Sequence, residues 1–306
     1  MTTFLAGPVT VSVPATSANL GPGFDALGLA LDHRDRVTAQ VTDSSGVDVT
    51  VVGEGESTVP RDARHLVYRS MLAALEHMGA AVPGIRLRCE NVIPHARGLG
   101  SSSAAIVAGV CLARGLIAGG SLLMDDQAVL ALAAAIEGHP DNVAPALYGG
   151  FTVAYRDDEG FHAVGVSVDP RVGVVAFVPP DSVETSLARG LLPSSVPHAD
   201  AAANAGRAAL LVAALSRQPE LLLAATEDRL HQDYREPAMP ASLALVRALR
   251  ADGVPAVISG AGPTVLAFTD NAAREAVAAR APAGWELLSV PIDRHGARLE
   301  LPDLVE

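Results

Sequence analysis

Pro94-His95-Ala96-Arg97-Gly98-Leu99-Gly100-Ser101-Ser102-Ser103-Ala104 is the stretch on which the fold turns. Before it, Ile85 to Val92 reads as a strand. After it, Ser101 to Leu116 has the apolar content of a buried helix. A glycine loop therefore joins a strand to a helix N-terminus. Gly98 and Gly100 can take positive φ and let a ligand approach the backbone closely. Ser101 to Ser103 add caps, hydroxyls and free N–H groups at the positive end of the helix dipole, a place that binds anions. A plain glycine turn with a serine N-cap has the same outline. Three consecutive serines are poor helix composition, however, and such local conflicts collect at functional sites.

The rest of the composition narrows what that loop can do. The chain has 306 residues, 49% hydrophobic and 18% charged, enough for one large domain or two medium ones with a proper core. Aromatics make up only 4%, so Ala, Val and Leu must build that core. There is no lysine, and all 22 basic residues are arginine. Walker A loops, protein-kinase strand lysines and Schiff-base chemistry are thereby excluded. Any phosphate must be held by backbone N–H groups, arginine, hydroxyls and a metal ion. The net charge of −12 argues against nucleic acid and anionic membranes as partners. Cys89 and Cys111 suit no common metal spacing and read as reduced thiols of a cytoplasmic protein. Met1 to Val11 lacks the basic start and apolar core of a signal peptide. Ala104 to Ala118, the most apolar run, is broken by Arg114 and too short to cross a bilayer.

Along the chain, the spacing predicts strands over 9–13, 36–41, 47–52 and 85–92. It predicts helices over 62–78, capped by Asp62 and ended by Gly79, and over 101–116 and 125–137. A hairpin is expected from Phe151–Tyr155 and Phe161–Val168. Further strands are expected over 172–178, 256–259, 265–269 and 285–291, and further helices over 183–189, 199–216, 219–234, 241–251 and 272–280. The order reads as a two-layer α+β chain whose seam falls between about residues 150 and 170.

Three more segments carry polar groups in loops. Pro14 to Gly28 leaves a strand, holds Gly21, Gly23 and Gly28, and presents Asn19 and Asp25; an ordinary Asn/Asp turn pair would do the same. Glu137-Gly138-His139-Pro140-Asp141-Asn142 follows an apolar helix. A carboxylate at that helix end opposes the dipole by about 0.3–1 kcal/mol if exposed, and a bound cation would reverse the sign. A solvated Glu at a frayed end remains the alternative. Ser259-Gly260-Ala261-Gly262-Pro263-Thr264 sits between two apolar strands and reads as a turn with close backbone approach. Thr185 and Arg189 are four apart and share one helical face, which solvent alone could also cover.

The pattern Pro-x-x-x-Gly-Leu-Gly-Ser-Ser-x-Ala of residues 94–104 resembles the phosphate loop of the GHMP kinases, and every fixed position matches. Pro14 to Gly28 resembles the first motif of the homoserine kinase branch, and residues 259–264 resemble the third family motif. The resemblance covers nearly the whole chain in the family's order. It implies a ribosomal protein S5 domain 2-like N-terminal domain (1–160) that binds ATP and a ferredoxin-like C-terminal domain (161–306), with the site between them. It also implies transfer of phosphate from ATP to the side-chain hydroxyl of L-homoserine, a step of threonine biosynthesis. By the same resemblance, residues 94 to 104 hold ATP, and Ser102 and Glu137 hold Mg²⁺. Asn19, Asp25, His139, Asp141 and Arg235 contact the amino acid, and Asn142, Thr185 and Arg189 act at the transfer step. Gly260 and Gly262 support the site, no dedicated general base is implied, and family analogy alone points to a homodimer. Two rival readings stay open: another GHMP enzyme, such as a mevalonate-pathway kinase or decarboxylase, and a non-catalytic small-molecule sensor.

Overall fold

The computed structural model describes residues 3–300. Seven strands form the first sheet. Five of them, β1 (Val9–Ala18), β2 (Leu27–Thr42), β3 (Gly46–Gly53), β4 (Gly84–Asn91) and the late β11 (Arg298–Glu300), run in the order β11-β1-β2-β4-β3. β5 (Phe151–Asp157) pairs with the start of β2 and forms a hairpin with β6 (Gly160–Val166). All pairings are antiparallel except β3 on β4.

Helices α1 (Leu66–His77), α2 (Ser101–Leu116), the short α3 (Gly120–Leu123), α4 (Asp126–Glu137) and α5 (Val143–Tyr148) complete this half. α2 packs against β1, α1 and α4 and is the centre of the core. Val107, Val110 and Leu112 are fully enclosed, as are Val9, Val11 and Val13 beneath them. A helix apolar all round must be buried all round, as the composition of 101–116 requires. Gly109 lets α1 close on it. A Cβ there would lie 2.5 Å from the Val67 carbonyl and 2.8 Å from Ser70 Cβ.

The second sheet contains β7 (Gly173–Val178), β8 (Ala256–Ile258), β9 (Val265–Thr269) and β10 (Glu286–Leu288), in the order β10-β7-β9-β8. Numbered within the sheet, that is 4-1-3-2 with every pair antiparallel, the ferredoxin-like arrangement. Between β7 and β8 run α6 (Thr185–Gly190), α7 (His198–Ser216), α8 (Leu222–Ala225) and α9 (Pro240–Ala251); α10 (Arg274–Ala278) precedes β10. Leu243, Val246 and Leu249 turn the apolar stripe of α9 inward. Among the described residues no helix is long and apolar enough to cross a membrane.

Three expectations fail for local physical reasons. Asp62 does not cap α1. Its carboxylate takes the Arg64 N–H and guanidinium instead, the helix begins at Leu66, and His65 occupies the cap with its ring in the core. The helix expected over 219–234 stops at Ala225. The Thr226 hydroxyl bonds back to the Leu222 carbonyl at 2.8 Å, and the Asp228 carboxylate gathers the N–H groups of Leu230, His231 and Gln232. Side chains competing for backbone groups end helices in this way. Third, β2 starts nine residues before the expected 36, because Leu27 to Leu29 gain β5 as a partner. α5 and β11 had no periodic signal at their lengths of 6 and 3 residues.

Gly109→Val should overpack the α1–α2 contact and lower the unfolding free energy by about 1–3 kcal/mol in a urea melt; an unchanged midpoint would contradict the packing described.

Candidate active site

Three loops from distant parts of the chain meet by backbone contact. Thr16 N–H donates to the Leu99 carbonyl at 3.0 Å, Thr264 N–H to Arg97 at 3.2 Å, and Gly260 N–H to Ala18 at 3.0 Å. The Ser259 hydroxyl donates to the Gly98 carbonyl at 2.6 Å, and Asn19 Nδ2 donates to the Gly260 carbonyl at 2.9 Å. Such approach demands glycine. A Cβ on Gly98 would stand 2.2 Å from the Ser259 carbonyl, and one on Gly100 1.9 Å from Thr16 Oγ1. Both residues have positive φ, at 76° and 70°.

The loop delivers the N-terminus of α2 to a cavity of roughly 430 Å³. Ala96, Gly98, Leu99, Gly100, Ser101 and Ser102 line it, so the middle of the quoted stretch is the part that faces the opening. Its ends do not line it. Pro94 is buried, and Arg97 turns away to the carbonyls of His95, Pro179 and Pro180. Ser103 and Ala104 are buried, but the Ser103 hydroxyl still acts at the site: it and the Ser102 hydroxyl donate to the same Glu137 oxygen, at 2.8 and 2.6 Å. Glu137 closes α4, which Gly138 ends with φ 94°.

Ser102 Oγ and the Glu137 carboxylate are hard oxygen donors held side by side. No group of three or more His, Cys, Asp or Glu is placed to hold a metal ion among the described residues. That pattern suits a Mg²⁺ that takes one or two protein oxygens and completes its shell with phosphate and water.

Opposite the loop, Thr185 and Arg189 come from α6 and Arg235 from the 3₁₀ turn Asp233–Ala238. His139 Nδ1 lies 2.6 Å from the carboxylate of buried Asp141. Burial depresses the His139 pKa, but the Asp141 bond and charge and the Glu137 charge outweigh it, leaving it above 6.5. Asn142 Oδ1 accepts from Thr16 Oγ1 at 2.8 Å, which fixes its amide. Asn19 lines the cavity, and its Oδ1 accepts from Asp25 N–H at 2.9 Å. Asn19 is built into the backbone contact, whereas the Asp25 carboxylate pairs with Arg189 at 2.7 and 3.2 Å, off the cavity wall. That hydrogen bond raises the Arg189 pKa. Both side chains are more than a third exposed, so the pair contributes about 1 kcal/mol or less and exchanges partners easily. Gly260 lines the cavity; Gly262 lies behind it, where a Cβ would meet Met239 Sδ at 2.4 Å.

Sequence reasoning missed a second cavity of roughly 300 Å³ beyond Ser101 and Ser102. Val37, Val59, Leu66 and Val67 make it apolar. His65 also lines it, with a buried Nδ1 that has no partner among the described residues and Nε2 4.0 Å from Cys89 Sγ. Burial lowers the His65 pKa and pushes the Cys89 thiol up to about 12, so both are neutral near pH 7. A polar ring at the head of an apolar helix was the available signal.

The folded His139 value above 6.5 means that folding favours the imidazolium. The stability this contributes is full below the unfolded value and is lost as pH rises through the folded one. In Asp141→Asn, the His139 titration midpoint read by NMR should therefore fall; an unmoved midpoint would remove Asp141 as its cause.

The chain matches family models described as "GHMP kinases N terminal domain" over residues 65–150 and "GHMP kinases C terminal" over residues 204–287. It is 57% identical over 294 residues to the homoserine kinase of Streptomyces avermitilis, covering 96% of each chain. It is 49% identical over 300 residues to that of Clavibacter michiganensis subsp. michiganensis, covering 96% of this chain and 95% of the other. The crystal structure of homoserine kinase from Cytophaga hutchinsonii superposes with a TM-score of 0.84 at 28% identity, over 96% and 97% of the two chains. A mevalonate diphosphate decarboxylase from Staphylococcus aureus shares the fold at a TM-score of 0.64 and 14% identity, over 96% and 98%. With both family models matched in order across the two sheets, the chain belongs to the GHMP kinases.

Proposed function

We propose that the protein transfers the γ-phosphoryl group of ATP to the side-chain hydroxyl of L-homoserine, giving O-phospho-L-homoserine for threonine synthesis in the cytoplasm. The observation that carries this reading is the near full-length similarity to homoserine kinases together with a cleft furnished for an anion and an amino acid. The two-unit division at residue 160 is part of the same reading, with β6 and β11 drawn from the second range into the first sheet. So is a homodimer.

In this reading the purine lies in the apolar cavity, where the free His65 Nδ1 meets its polar edge. The triphosphate crosses Ser101 and Ser102, which border both cavities, and rests on the N–H groups at the start of α2. Ser102 and Glu137 hold Mg²⁺, which when bound neutralises charge on the phosphate oxygens. Arg235 takes the substrate carboxylate, and Asp25 offers its carboxylate to the α-ammonium group. Asn142, fixed by Thr16, and Thr185 orient the acceptor hydroxyl, while Arg189 neutralises charge on the transferring group. No dedicated general base is assigned, in keeping with a transfer that needs positioning and charge neutralisation more than proton abstraction.

A MgATP panel tests the substrate. ADP and a product heavier by one phosphate should appear with L-homoserine and not with mevalonate. Turnover with mevalonate alone would favour the sister-enzyme reading, and ligand binding without ADP release the sensor reading. Glu137→Gln should cut kcat by roughly a hundredfold at saturating Mg²⁺ while the thermal midpoint stays near that of the parent. Unchanged kcat would remove Glu137 from the metal.

A further inference from the structure

Arg235 is a buried cation without an anion. Its relative exposure is 1%, and among the described residues no carboxylate lies within ion-pair distance of it. Its protein partners are neutral acceptors: the carbonyls of Ala188 at 3.3 Å and Gly260 at 3.2 Å, and His231 Nδ1 at 3.0 Å. Burial and the nearby Arg189 charge lower its pKa to about 10. Nη2 has no protein acceptor among the described residues, and the residue lines the cleft.

The state of His231 follows from its second nitrogen. Nε2 lies 2.8 Å from the Gly21 carbonyl, which can only accept, so Nε2 carries the proton. Nδ1 is then the lone pair that receives Arg235 Nη1–H. The ring is enclosed, and burial lowers its pKa. Beside it the Asp228 carboxylate is 3.7 Å from Nε2 and engaged by the N–H groups of residues 230 to 232, and the Asp25 charge also acts on the ring. Phe24 packs 5.2 Å from the His231 ring, and the Arg235 and Arg189 guanidinium groups lie 5.6 and 5.7 Å from its centroid. A glutamate in place of His231 would offer Arg235 an acceptor too, but it would cancel the charge.

We propose that His231 is a positioning residue for substrate selection: it fixes Arg235 by a neutral hydrogen bond so that the guanidinium charge stays free for the carboxylate of the amino-acid substrate. The role rests on the proposed homoserine kinase activity. His231 itself touches no substrate; it sets the demand for a carboxylate through Arg235, from a loop that also ties Gly21 to the second unit.

Steady-state kinetics of His231→Gln and His231→Glu, near-isosteric and different in charge, test this. The probes are L-homoserine and the amino diol made by reducing its carboxyl group to a carbinol. His231→Gln keeps a neutral acceptor and should hold the homoserine KM within about threefold of the parent, while His231→Glu should raise it roughly tenfold or more. The parent's preference for homoserine over the amino diol should shrink in His231→Glu alone, with the KM for MgATP unchanged in both. A parental homoserine KM and preference in folded His231→Glu would overturn the role. If that variant does not fold, His231→Met removes the acceptor without adding charge. It should raise the homoserine KM and leave that for MgATP alone, and unchanged values would again overturn the role. Absence of homoserine turnover by the parent would overturn the activity assignment and this role with it; parental turnover with indifferent variants overturns the role alone.

Discussion

The site depends on one backbone contact, between the turn 259–264 and the glycine loop before α2. The Ser259 hydroxyl reaches the Gly98 carbonyl, Thr264 N–H reaches the Arg97 carbonyl, and Gly260 bonds back to Ala18. Three strand ends from two sheets are thereby locked at main-chain distance. Side chains at Gly98 or Gly100 would push them apart by occupying positions 2.2 and 1.9 Å from existing oxygens. The first residues of α2, Ser101 and Ser102, are left lining the opening. A chain without lysine has no flexible ammonium to send after a phosphate, so it must hold that backbone still.

Charge is distributed with the same economy. The chain as a whole carries −12, yet the wall facing the loop holds Arg189 and Arg235. The two are treated differently. Arg189 is half-exposed and paired with Asp25, a partner that solvent screening makes easy to exchange. Arg235 is enclosed and, among the described residues, hydrogen-bonds only neutral acceptors, a state that burial opposes. On the other side Glu137 receives two serine hydroxyls, and among the described residues no group of three or more His, Cys, Asp or Glu is placed to hold a metal ion.

Much of this was legible in residues 94–104. Glycines before an apolar helix specify close backbone approach from local geometry, but the expected serine caps are absent: Gly100 is the N-cap, and the Ser102 and Ser103 hydroxyls go to Glu137 instead. The spacing of Thr185 and Arg189 likewise survives into α6. The errors lie where side chains bond to the backbone nearby. Asp62 served Arg64 rather than the helix, and Thr226 with Asp228 broke a run that composition alone read as helix. His65 and His231 went unread because an isolated histidine has no pattern. Each acquires meaning only from what surrounds it: an apolar cavity for one, a guanidinium and a carbonyl for the other.

The amino-acid sequence by itself determined the α+β order, the buried helix α2, the glycine loop before it and the exclusion of lysine chemistry, since these rest on composition and on contacts a few residues long. The tertiary structure alone decided which polar groups share a cleft. Glu137 meets Ser102 across 35 residues, Arg189 meets Asp25 across 164, and Asn19 meets Gly260 across 241. Contacts at such separations depend on how the two sheets pack, and no periodicity records that.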